Sequence, residues 1–230
     1  MSFDDDKFRI IKFDKQHILS YIENCYNRMS GIFLVAAKRT PFGAFGGSLK
    51  ALSATDLGVI STEAALSSSN IDPKLVDSVY FGNVIQSSND AAYLARHVAL
   101  RAGCEEKTPS LTINRLCGSG FETVVLGANS IKVGDSQISV CGGTENMSNA
   151  PLTVAGNSAR WGVKLGTGLK MSDALWDGLT DSYAGTPMGI TAENLAKKYN
   201  ITREVRCSVL SAIVYAWSSD DEYISFSFLG

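Results

Sequence analysis

The stretch best equipped for chemistry is Asn114-Arg115-Leu116-Cys117-Gly118-Ser119-Gly120-Phe121. A short run, Leu111-Thr112-Ile113, leads into it, and a long apolar segment, Phe121 to Ile131, follows. This pattern predicts strand, tight glycine-rich turn and helix, with Cys117 at the mouth of the helix. A helix N-terminus carries partial positive charge and unpaired N–H groups. That field favours thiolate over thiol, and the thiolate is the nucleophile. Gly118 and Gly120 leave room for a carbonyl to approach the backbone. Cys117 therefore reads as an acyl-accepting nucleophile. The competing reading is an inert buried thiol, the usual state of a free cysteine. The turn, the helix entry and the flanking glycines favour the first.

The rest of the composition narrows the field. Only two histidines, His17 and His97, are available as partner bases. His97 falls in the helical pattern Ala91–Ala102 and reads as a surface or interface histidine. The five cysteines, at 25, 104, 117, 141 and 207, are odd in number and form no Cys-x-x-Cys pair. This argues against a disulfide framework or a metal site and for a reducing compartment. The formal net charge of -2 offers no basic patch for nucleic acid. No apolar run is long enough to span a bilayer.

The elements that must position Cys117 follow from periodicity. Strand-type runs are expected at Ile32–Ala36, Val76–Phe81, Ser110–Ile113 and Ser136–Cys141. Helices are expected from Thr55 to about Ser67, with Leu57, Ile60, Ala64 and Ala65 on one face, then at Ala91–Ala102, Gly118–Lys132 and Met188–Tyr199. Ala192, Leu195 and Ala196 form the apolar side of the last. Alternation of this kind implies an α/β fold of βαβ units with a mostly parallel sheet. The helix Gly118–Lys132 is apolar nearly all round, so it is expected to be buried on two sides. Glycines 142 and 143 follow a strand, where such folds place ligands.

Four regions are expected. Residues 1–30 form a leader of different character, residues 31–150 an α/β half, residues 151–207 a long excursion of functional type, and residues 208–230 a Ser- and aromatic-rich strand or frayed tail. The leader is acidic, unlike a mitochondrial presequence. Its Arg9-Ile10 and His17-Ile18 are spaced one residue too far apart for an amino-terminal peroxisomal signal. Met29 is read as the natural start.

Four motifs in order resemble the thiolase family, nearest the mitochondrial type of its 3-ketoacyl-CoA branch. They are Val35 through Gly43, Asn114 through Gly120, Gly142 through Pro151, and Thr191-Ala192-Glu193-Asn194. The likeness runs from about Gly31 to Cys207. It implies a βαβαβ half with part of the family's loop domain. It also implies an acyltransferase of fatty-acid β-oxidation, in which Cys117 takes the acyl group of 3-ketoacyl-CoA as acetyl-CoA leaves. Coenzyme A then enters as co-substrate, and no resident cofactor or metal is implied. By the same match, the backbone N–H of Cys117 donates to an oxyanion pocket, and Leu179 and Met188 line the pantetheine and acyl pocket. Pro187, where acetoacetyl-specific members have histidine, points to longer 3-ketoacyl chains.

The family's chain is longer. Its second half supplies Asn-Glu-Ala-Phe and Gly-His-Pro segments and a second cysteine in a Cys-x-Gly segment; the first two do not occur here, and the one Cys-x-Gly run, Cys141-Gly142-Gly143, opens the glycine loop of the first half. Three expectations follow from the resemblance. The chain taken alone is inactive and leaves one face of the Gly118–Lys132 helix uncovered. It forms a homo-oligomer, or it pairs with full-length thiolase as a non-catalytic subunit. Its compartment is the mitochondrial matrix, with peroxisome or cytoplasm as alternatives. A ketoacyl-synthase relative is a further reading, which the Cys-Gly-Ser-Gly run and the glycine loop with Glu145 fit less well.

Overall fold

The structure, a computed structural model, describes residues 31–218, with side chains to residue 211. The leader with His17, Cys25 and Met29, and residues 219–230, lie outside the described residues. The chain divides into two units, one ending at Leu34 and the other beginning at Val35. In the first, Ile32–Leu34 have no regular secondary structure, and Phe33 and Leu34 are exposed. Val35 and Ala36 of the second unit are equally irregular. The strand expected over 32–36 is thus not formed. A strand exists only on a hydrogen-bonding partner, and none is found among the described residues.

The second unit is ordered around a small sheet. Helix α1 (Ala54–Ser68) starts at Ser53, whose hydroxyl accepts from the Asp56 N–H while the Asp56 carboxylate accepts from the Ser53 N–H. This reciprocal pair is a capping box. Strand β1 (Ser78–Gly82), helix α2 (Leu94–Arg101), strand β2 (Ser110–Ile113), helix α3 (Ser119–Val133) and strand β3 (Ser139–Gly143) follow. The sheet order is β2-β1-β3, parallel throughout, with Gly82 paired to Ile113 on one side and to Gly143 on the other. The three strands therefore end together at one edge.

The two crossovers run in opposite directions across the sheet, so a common right hand places α2 and α3 on opposite faces. The side chains agree. Val79 and Phe81 of β1 are fully buried with Leu94, Ala95, Val98 and Ala99 of α2. On the other face, a Cβ on Gly127 of α3 would lie 2.4 Å from the Cys141 sulfur, and one on Gly82 would lie 2.7 Å from Ser119. Glycine at these two positions is what lets α3 lie directly on the sheet.

Two expected faces differ from those observed. The buried side of α1 is Ala54, Thr55, Gly58, Val59, Ser61, Thr62 and Leu66, while Ile60 and Ala64 are exposed. Small residues were selected for contact because α1 packs closely, with a Gly58 Cβ only 2.9 Å from Val98. Likewise, α3 buries only Ser119, Thr123 and Gly127, and leaves Phe121, Val124 and Val133 outward and exposed. Among the described residues it has protein on one side only, which corrects the burial on two sides read from its composition and matches the uncovered face expected of the chain taken alone.

The excursion holds two small antiparallel ribbons, β4 (Leu152–Val154) with β5 (Met171–Asp173), and β6 (Thr180–Asp181) with β7 (Thr186–Pro187). Between them lie short helices α4 (Gly156–Ala159) and α5 (Ala174–Leu179), and after them α6 (Met188–Lys198). Of its expected apolar side, Ala192 and Leu195 are exposed and Ala196 is half-buried. Helix α7 (Arg203–Ser218) then corrects the strand or frayed tail expected from Ser208. Its Ser-rich composition disguises a helix whose i→i−4 bonding is already established at Arg206, which donates to Thr202 O at 3.2 Å.

Candidate active site

A cleft of about 630 Å3 opens at the edge where the parallel strands end. Ligands bind outside the carboxyl ends of strands in open α/β sheets because the loops there converge while the strands are held rigid. Cys117, Leu179 and Met188 all line this cleft. His97 is not among its lining residues. It lies on α2, stacked on Tyr93, with Nδ1 3.3 Å from Asp90 Oδ2.

The turn presenting Cys117 is strained and braced. Leu116 has φ +49°, a left-handed conformation for a bulky residue, at a cost of about 1–3 kcal/mol. Side chains on either side hold it there. The Leu116 N–H donates to Asn114 Oδ1 at 2.9 Å, and the Ser119 hydroxyl donates to Leu116 O at 2.6 Å. The same hydroxyl accepts from the Arg115 N–H at 2.8 Å. Gly118 is the N-cap of α3, so Cys117 stands immediately before the helix with its side chain exposed. Arg115 pairs with Glu122 on the outer surface, a contact worth about 0–1 kcal/mol where solvent screens it.

The opposite wall is polar near the sheet and apolar further out. Thr144 and Glu145 come from the glycine loop after β3, and Asn83, Val84 and Ile85 from the segment after β1. Glu145 accepts from the Val84 N–H at 2.9 Å, from the Ile85 N–H at 3.2 Å and from Asn83 Nδ2 at 3.0 Å. Burial pushes its carboxyl above the usual range, and the three donors oppose that rise. Leu175, Gly178, Leu179 and Met188 close the outer side.

Asn83 and Ile85 escaped the sequence reading, as did the part Glu145 takes in holding them. The available signal was Gly82-Asn83 directly after an alternating strand. The register placing it beside Glu145 was not readable from either segment. Among the described residues, no group of His, Cys, Asp and Glu could hold a metal ion, and no helix is long and apolar enough to cross a membrane.

Fold and site together define an α/β protein with an exposed cysteine on a strained strand-to-helix turn, facing a cleft at the carboxyl edge of a parallel sheet. The chain belongs to the thiolase family: the family's N-terminal domain matches residues 32–209. It is 56% identical over 176 residues to the mitochondrial 3-ketoacyl-CoA thiolase of Mus musculus, covering 76% of this chain and 44% of that one. It is 42% identical over 178 residues to an acetyl-CoA acetyltransferase of Cupriavidus necator, again covering 44% of the relative. The crystal structure of human mitochondrial 3-ketoacyl-CoA thiolase in complex with CoA superposes with a TM-score of 0.74 at 55% identity, over 77% of this chain and 44% of that one. The chain thus spans less than half the length of the relatives it matches.

Proposed function

We propose that the cleft is the acyl-accepting side of a 3-ketoacyl-CoA thiolase site, acting in fatty-acid β-oxidation. The observation that carries this reading is the exposed Cys117 thiol on its braced turn, in one cleft with Leu179 and Met188. The Cys117 thiolate attacks the keto carbon at C3 of the substrate. The C2–C3 bond breaks, its electron pair passes to C2, and C2 takes up a proton to leave as acetyl-CoA. The acyl group stays on sulfur as a thioester. The thiol of coenzyme A, a co-substrate rather than a resident cofactor, then attacks that carbonyl and loses its proton, and Cys117 leaves. By the family match, the backbone N–H of Cys117 donates to the oxyanion that both steps develop. Leu179 and Met188 flank the acyl chain and the pantetheine arm.

Residues 1–230 taken alone accept an acyl group but do not turn over. Among the described residues the cleft holds no histidine and no second cysteine to move the thiol protons. The mitochondrial relatives support the mitochondrial matrix as the compartment. A second reading makes the chain a non-catalytic partner of a full-length thiolase or of its own copy. The outward Leu111, Phe121 and Val124 favour it, and co-purification with full-length thiolase tests it.

The first test is the intact mass of the chain after incubation with acetoacetyl-CoA or acetyl-CoA. An acyl adduct that is absent in Cys117→Ala is expected. No adduct on the parent chain, or an adduct that survives in Cys117→Ala, overturns the assignment.

A further inference from the structure

The carboxylate of Glu145 has no oxygen left for substrate. Oε1 accepts from Asn83 Nδ2 at 3.0 Å and from the Ile85 N–H at 3.2 Å, while Oε2 accepts from the Val84 N–H at 2.9 Å and, at 3.3 Å, from Ile85 again. Asn83 Nδ2 also donates to Thr144 O at 2.9 Å. The side chain therefore clips the segment after β1 to the glycine loop after β3. A group with both oxygens engaged by backbone and amide donors fixes geometry rather than shuttling protons.

The clipped segment is in turn joined to the cysteine turn by two contacts of different kinds. Asn114 Nδ2 donates to Val84 O at 3.4 Å, and the same Asn114 side chain accepts from the N–H of strained Leu116 at 2.9 Å. One residue upstream, Gly82 lies so close under the head of α3 that a Cβ there would meet Ser119 at 2.7 Å and the Gly120 nitrogen at 2.9 Å. Ile85 also reaches the opposite wall, 3.8 Å from where a Gly178 Cβ would stand, next to Leu179. One short segment thus touches both walls of the cleft, and Glu145 sets its position.

Given the reading of Cys117 as the acyl acceptor, we propose that Glu145 is a positioning residue. Acting through Val84 and Asn114, it holds the Leu116–Cys117 turn in its strained, reaction-ready conformation. The turn is left-handed at Leu116, so it relaxes when its brace is loosened. Misplacement of a nucleophile by about 1 Å costs on the order of 100-fold in rate.

The test compares the full chain with Glu145→Gln, which turns an amide N–H toward donors that need an acceptor. Peptide-resolved hydrogen–deuterium exchange and the acyl adduct on Cys117 are both measured. Faster exchange is expected in 82–86 and in 114–119 together, with acylation by acetoacetyl-CoA slowed roughly 10- to 100-fold. Cys104 is buried and Cys141 half-buried beneath α3, and both are expected to stay unlabelled by iodoacetamide, which separates repositioning from general loosening. Faster exchange in 82–86 with 114–119 unchanged overturns the brace. Should Glu145→Gln fail to fold, Asn114→Asp, which keeps the acceptor for the Leu116 N–H and removes the donor to Val84 O, cuts the strut instead, and it must free 114–119 while 82–86 stay protected. Unchanged exchange at 114–119 in that variant also overturns it. If the parent chain forms no adduct, the acyl-acceptor reading fails, while the exchange result still decides the brace.

Discussion

Residues 54–143 and residues 152–201 hold their shapes by different means. In the first, Val79, Phe81, Leu94 and Val98 are fully buried between a sheet and two helices. Burying such side chains stabilises by about 1.5–3 kcal/mol each. In the second, none of the elements from β4 to α6 contains a buried residue. What orders it is local, as where Asp173 accepts from the Leu175 N–H at 2.9 Å and Asp181 accepts from the Tyr183 N–H at 2.8 Å. Yet both regions reach the cleft, one with Cys117 and Glu145, the other with Leu179 and Met188. A block with a buried core carries the exposed cysteine, and a region without buried residues carries the apolar wall. Surfaces that move to admit a ligand are drawn from the least stable parts of a protein.

Glycine substitutions test the contrast most sharply. Gly127→Ala places a methyl 2.4 Å from the Cys141 sulfur and 3.3 Å from the Ser139 Cβ, so α3 or the strand beneath it must shift. A loss of about 1–3 kcal/mol is expected, read as a fall in the urea midpoint. Equal stability of this variant and the parent would mean that α3 is not held tightly on the sheet. Next in size, Ser53→Ala removes the capping box of α1 and costs about 1 kcal/mol in the same measurement.

The same cap carries a pH signature. Asp56 is held below its ordinary value of 3.8, first by the Arg101 guanidinium at 2.7 Å and then by Ser53. Because the folded value is depressed, its contribution to stability is present above the unfolded value and is lost as pH falls through the folded one. Arg101→Gln should lower stability slightly across the neutral range, where the pair's contribution is present, and flatten the acid limb below about pH 4, so that variant and parent converge in acid. Unaltered acid sensitivity would place the coupling elsewhere. The smallest effect belongs to the second region. A Gly189 Cβ meets nothing within 4 Å, so Gly189→Ala is expected to raise the helicity of α6, a local gain of about 0.5–1 kcal/mol. Exchange in 188–198 should slow, and the global urea midpoint should stay put. A shift of that midpoint would show that the two regions unfold together.

Legibility followed the same division. The run β2, turn, α3 was readable almost to the residue, because apolar periodicity and glycine punctuation there coincide with what the sheet requires, while β3, expected over Ser136–Cys141, lies at Ser139–Gly143. The buried side of α1 was misread because helical spacing picked out Leu57 and Ile60, whereas close approach to Phe81 and Val98 selects Gly58 and Thr62. The strand over 32–36 was misread because its composition is strand-like while no partner for it is found among the described residues. The helix reaching Ser218 was missed because serines and aromatics mask its periodicity.

By itself, the sequence determined the candidate cysteine, the turn that presents it, the α/β alternation and the family. These reside in contiguous residues whose types are dictated by local backbone geometry and by the chemistry at one atom. Only the tertiary structure decided which loops become the walls of the cleft. The clip from Glu145 to Val84 and Ile85 spans some sixty positions of chain and exists only because β1 and β3 lie side by side in one register. Pairing across a sheet is set by packing of the whole, so no local pattern announces it.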